Sequence, residues 1–100
     1  MDVFPKFIIE GDSLIIGKAT YHRQLATDRS QVKSGGWYRI NTEAKTITFH
    51  GSSDDFGYPD EEDIKECIKN NRVYMNKLRT REVSNQYKFF LDIGSEIIPL

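Results

Sequence analysis

Cysteine, proline, histidine and tryptophan are scarce in this chain: one Cys, three Pro, two His and one Trp in 100 residues. The lone Cys67 has no partner within the chain, so no internal disulfide staples the fold, and this usage fits a reducing compartment. A net charge of −1 gives no global field that would recruit nucleic acid or an anionic membrane. No apolar run exceeds five residues, far short of the roughly 20 that span a bilayer as a helix, and Met1-Asp2-Val3-Phe4-Pro5 shows no leader pattern. The few histidines stand in no close His/Asp/Cys ligand spacing, so neither a metal nor another cofactor is expected. These absences lead to the expectation of a soluble, cytoplasmic chain with no membrane partner. One domain is expected over residues 1–100, enough to bury about two thirds of the unfolded surface.

What is present is strand chemistry. Lys6–Glu10 and Ser13–His22 are apolar and β-branched around a Gly11-Asp12 turn, which predicts a hairpin. Arg23–Ser34 is polar and predicts a loop with about one helical turn near Arg23-Gln24-Leu25-Ala26. Trp37–Asn41 and Thr46–His50 alternate across the polar connection Thr42-Glu43-Ala44-Lys45, a second hairpin. Pairing across it sets Ile40 against Ile47 and Tyr38 against Phe49 on one face, with Trp37 against His50 and Arg39 against Thr48 on the other. The first face reads as core, and the second collects an aromatic, a cation and a histidine.

Asp60 is positioned as an N-cap ahead of an acidic first turn, and Ile64, Cys67 and Ile68 form an apolar stripe, so a helix of about three turns should run to Asn70-Asn71. Cys67 on that stripe reads as core. Arg72–Met75 and Gln86–Ile93 read as strands. Asn76–Asn85 between them reads as a basic loop or exposed hairpin, and Glu96–Leu100 as an apolar tail in need of a contact. The expected architecture is α+β, a mostly antiparallel sheet of five or six strands with one main helix packed on it. The cations Arg72, Lys77, Arg79, Arg81 and Lys88 lack interleaved aromatics and read as a solvated edge, which makes nucleic acid an unlikely partner.

Lys6 opening a strand, Tyr21-His22 closing the next, the pair Gly35-Gly36, and the loop Gly51-Ser52-Ser53-Asp54-Asp55-Phe56-Gly57 leading to a helix stand in a telling order. In these features the chain resembles the phosphohistidine phosphatase (Janus/Ocnus-type) family, as a short divergent member. The likeness covers residues 3–75, with a C-terminal strand and tail over 76–100. By position it implies His22 as the catalytic base and Lys6, Ser53 and the Asp55 backbone N–H as phosphate-binding groups. Two family arginines lack direct counterparts. Trp37 stands where one would be, with Arg39 two residues on the same face, and Lys18 is expected on the face that His22 uses. Lys18, Trp37 and His50 are further candidates for lining a pocket, although His50 also reads as a residue stacked beneath a covering helix. The segment from His22 to Gly35 is too short for the long helix the family places there.

Phosphoramidate hydrolysis needs an anion cradle, a base to orient water and a good leaving group. Histidine suits the base role, and a loop of successive N–H groups suits the cradle. Asp54 and Asp55 oppose it. At about 4 Å and an effective dielectric of about 20, each inward like charge costs on the order of several kcal/mol, so both side chains are expected to turn outward. Two readings stay open. One is a protein that binds a phosphorylated side chain or small phospho-ligand, with its hydrolysis left open. The other is a non-catalytic interaction module, homodimeric through its C-terminal segment.

Overall fold

The apolar alternation sets the strands, and the computed structural model describes residues 2–100; Met1, part of the N-terminal stretch read above, lies outside the described residues. Strand β1 (Phe4–Glu10) turns at Gly11, which adopts φ +61°, into β2 (Ser13–Ala19). A 3₁₀ turn at His22–Leu25 and a second at Arg29–Gln31 lead into β3 (Val32–Asn41) and β4 (Thr46–His50). Helix α1 (Glu61–Lys69), β5 (Val73–Tyr74), β6 (Lys88–Asp92) and β7 (Ile97–Pro99) complete the chain.

The fold is α+β, and one sheet carries it in the order β5-β2-β1-β3-β4-β6-β7. Among the described residues it has seven strands, not five or six, and it is mixed: β2 pairs with β5, and β4 with β6, in parallel. Both parallel pairs follow from the long connections, which return a strand to the sheet from the far side rather than by a hairpin. The β3–β4 register is the expected one, with Tyr38 opposite Phe49 and Trp37 opposite His50. Ile40 reaches past the core and is 39% exposed.

The alternation gives the sheet two unlike faces. Phe7, Ile9, Leu14, Ile16, Tyr38, Ile47, Phe49 and Leu91 point to one, where Ile64 and Cys67 of α1 close the main core. Phe49 sits between Phe7, 4.8 Å away edge-on, and Phe89, stacked at 5.9 Å. The helix begins where expected, with the Asp60 carboxylate accepting from the Glu62 N–H at 2.9 Å and an acidic first turn set against the dipole. Cys67 is buried, its Sγ donating to Asp12 O at 3.3 Å. Burial pushes its thiol up to about 11, so it is inert.

The opposite face carries the smaller cluster Ile8, Ile15, Ala19 and Leu25, and the 22–31 segment lies across it. That segment is pinned at Glu10, a carboxylate only 5% exposed. Glu10 accepts from the N–H groups of Thr27 at 3.0 Å and Asp28 at 2.8 Å, from the Thr27 hydroxyl at 2.5 Å, and pairs with Arg79 at 3.4 Å. Burial alone would raise its pKa; the Thr27 and Asp28 hydrogen bonds and Arg79 outweigh it and hold the carboxyl below its ordinary range.

The tail finds its contact within the chain. Leu100 packs on the main core, and its N–H donates to Phe89 O at 2.9 Å. Residues 76–85 are not purely hydrophilic, because Val83 is fully buried and its N–H bonds Val73 O at 2.9 Å.

Candidate functional site

Two glycines make the site possible, for steric reasons. A Cβ at Gly35 would stand 2.8 Å from Phe7 O, 3.0 Å from His22 Cδ2 and 3.2 Å from Ser53 Cβ. One at Gly36, on the other face, would meet His50 O and Phe7 Cε1, each at 2.8 Å. Gly35 therefore lets the imidazole of His22 and the Gly51–Gly57 loop close onto the bare strand, while Gly36 admits Phe7 and the β4 backbone.

His22 is not at a strand end. Strand β2 stops at Ala19, and Gln24 Oε1 accepts from the N–H groups of Thr20 and Tyr21, both at 2.9 Å, turning the chain into the 3₁₀ turn. Leu25 then packs over Gly17, where a Cβ would be 3.0 Å from Leu25 Cδ2. The turn lays His22 down on the sheet, 5% exposed, with Nε2 2.8 Å from Gly36 O. A carbonyl only accepts, so Nε2 carries the proton and Nδ1 is the basic nitrogen. Burial lowers the pKa of His22, the Gly36 bond raises it, Lys6 lowers it, and Asp55 and Asp54 raise it; the net shift is downward. The imidazole is neutral at physiological pH.

Lys6 is also buried, its Nζ donating to Thr20 O at 2.8 Å and standing 4.8 Å from the Trp37 ring centre. Trp37 meets His22 edge-on at 6.4 Å. With Tyr21, Arg23, Ser52, Asp54 and Asp55, these three line one cavity of about 260 Å³. The loop shapes its wall through its own hydrogen bonds. Ser53 and Gly57 exchange backbone bonds at 3.1 and 2.8 Å, and Ser53 Oγ accepts from Asp55 N at 3.2 Å and Phe56 N at 3.1 Å.

Several expected positions differ. Ser53 is 3% exposed and shapes the loop from behind, and the Asp55 N–H is already taken by its hydroxyl. The internal network leaves out the N–H groups of Gly51, Ser52 and Asp54, and of these residues Ser52 and Asp54 line the cavity. Arg39 does not reach the cavity; it pairs with Asp92 on β6 at 3.1 Å, because the parallel β4–β6 pairing brings Asp92 alongside His50. Lys18 is exposed and, opposite Pro5, lies on the helix face rather than the His22 face; the strand ends before alternation can carry His22 with it. His50 is beneath no helix, since α1 covers the other face. It lines a separate cavity of about 470 Å³ with Tyr58, Asp92 and Ile93, and burial, then Arg39, lowers its pKa against the pull of Asp92.

Asp54 and Asp55 are both exposed and both belong to the cavity wall, and the Asp55 carboxylate faces a cation the sequence pattern did not single out, Arg23, at 3.5 Å. Arg23 lies 4.2 Å from the Tyr21 ring centre. Its place depends on the 3₁₀ turn at His22–Leu25, which begins one residue ahead of the helical turn expected at Arg23–Ala26; the polar composition of that stretch does not set which side chain faces the cavity. Among the described residues no group of three His, Cys, Asp or Glu side chains could hold a metal ion, and no helix is long and apolar enough to cross a membrane. No family model, curated protein or solved structure matches the chain.

Proposed function

We propose that this protein is phosphohistidine-phosphatase-like: it binds, and hydrolyses, a phosphorylated side chain or small phospho-ligand in the cavity beside His22. The observation that carries the reading is the convergence of Lys6, His22 and the Gly51–Gly57 loop on one recess. Lys6, with one N–H committed to Thr20 O, keeps two for phosphoryl oxygens. The N–H groups of Ser52 and Asp54 complete the cradle. His22 Nδ1 takes a proton from water as its oxygen attacks phosphorus; the phosphorus–nitrogen bond breaks, and Nδ1 returns that proton to the leaving nitrogen, so His22 ends neutral. Products are inorganic phosphate and the free side chain.

The test is turnover of a phosphohistidine peptide by the wild type and by His22→Ala, with inorganic-phosphate NMR titrations beside it. Turnover lost in the variant, with its fold intact, supports the reading. A wild type showing neither turnover nor phosphate-induced shifts at His22 and the loop amides overturns it. The second reading is a non-catalytic, homodimeric interaction module. Ile97, 55% exposed on β7, favours it, whereas Pro99 on the same free edge opposes strand addition.

A further inference from the structure

The rim of the cavity holds a cation whose present partner is weakly matched to it. Arg23 reaches Asp55 through one contact, NH1 to Oδ2 at 3.5 Å, with the two side chains 41% and 37% exposed. An exposed pair of this kind biases an equilibrium by no more than about fivefold. The guanidinium is nonetheless held in place, because Tyr21 supports it at 4.2 Å. A guanidinium presents a planar fork that matches two oxygens of one anion, and a single carboxylate oxygen leaves most of that fork unused. Asp55 is likewise fixed at its backbone, its N–H bonded to Ser53 Oγ at 3.2 Å, so its side chain can swing away while the loop keeps its shape. Arg23 and Asp55 line the same recess as Lys6 and His22.

We propose that Arg23 is a phosphoryl-binding residue held in reserve by Asp55, and that a phosphoryl dianion enters by replacing the Asp55 carboxylate on the Arg23 guanidinium. This rests on the phosphoryl reading of the cavity and adds its selectivity. A dianion that takes both arms of the fork displaces the resident carboxylate, and a carboxylate ligand gains nothing over the one already there. Asp55 thereby serves as an internal competitor that sets a threshold for entry, which gives its place on the rim beside Arg23 a role.

Inorganic phosphate is the probe, titrated by NMR into the wild type, Arg23→Ala, Arg23→Lys, Asp55→Asn and the Arg23→Ala/Asp55→Asn double variant. Because both side chains are well exposed, unfolding midpoints should match the wild type. Asp55→Asn should bind about three- to fivefold tighter, Arg23→Ala at least about tenfold weaker, and Arg23→Lys between the two. The gain from Asp55→Asn should vanish when Arg23 is absent. If the wild type binds phosphate but Arg23→Ala binds equally well, or if the Asp55→Asn gain persists without Arg23, the latch is overturned while the phosphoryl site stands. A wild type that shows no phosphate-induced shift overturns the latch, and one that also fails to turn over the phosphohistidine peptide overturns the phosphoryl reading with it.

Discussion

Replacing Gly35 by alanine tests whether the double glycine exists to seat His22. The added methyl would lie 2.8 Å from Phe7 O, 3.0 Å from His22 Cδ2 and 3.2 Å from Ser53 Cβ. The Phe7 carbonyl cannot retreat, because Phe7 sits within the β1–β3 ladder opposite Gly36, so the strain falls on His22 and the loop. Overpacking of this kind costs about 1–3 kcal/mol, a sizeable part of the roughly 5–15 kcal/mol that holds a domain together. It should also push the imidazole off Gly36 O and toward solvent, so the His22 pKa should climb back toward its ordinary value. Gly57→Ala is the control: φ there is +82° with nothing within 4 Å of a Cβ, so only backbone strain of about 1–2 kcal/mol applies and His22 should titrate as in the wild type. Urea unfolding gives the stability, and imidazole nitrogen shifts give tautomer and pKa. A Gly35→Ala protein of unchanged stability whose His22 titrates as before would refute the seating argument.

Glu10→Gln should destabilise the protein by about 2–3 kcal/mol at neutral pH, the worth of hydrogen bonds to a buried charge. Because the folded carboxyl titrates below its ordinary range, its contribution is complete above that range and fades as pH falls through the folded value, so variant and wild type should converge in acid; parallel pH-dependent curves in urea would contradict this. His22 is shifted downward, so a phosphatase working through it should keep its rate below pH ~6.5, with an acid limb matching the NMR titration of His22; a limb above that pH would point to another base. Leu100 N–H faces Phe89, so alternation aims the Ile97 and Pro99 nitrogens outward; Pro99→Thr adds a donor to that edge and should promote concentration-dependent dimers by light scattering, and an unchanged mass would show that the proline is no barrier.

The β3–β4 hairpin is legible in the sequence because both arms alternate cleanly about a polar turn, and period two leaves one solution for the faces. The front half of β3 is not. Ser34, Gly35 and Gly36 have poor strand preference, and only pairing with β1 reveals that the strand starts at Val32. Strand β5 lies inside the Arg72–Met75 stretch that reads as a strand, but β7 and the parallel pairing of β5 and β6 depend on contacts distant in sequence, and no local pattern fixes them. Val83 is a single buried apolar residue in a basic stretch and carries no period at all.

The candidate site divides along the same line. Lys6, Trp37 and the loop are legible because they sit on regular strands or in a glycine-bounded motif, where position determines direction. The 22–31 segment is legible as a loop with one helical turn but not in its path, which follows from Gln24 bonding back to Thr20 and Tyr21, Leu25 filling the space over Gly17, and Glu10 gathering Thr27 and Asp28. Alternation carried past Ala19 sends Lys18 and His22 to one face. The real chain bends there, leaving Lys18 outside and bringing in Arg23 instead. The turn that seats His22 also places Arg23 on the cavity rim, so a change at Gln24 or Leu25 should disturb His22 and Arg23 together, whereas a change at Arg39 should disturb neither.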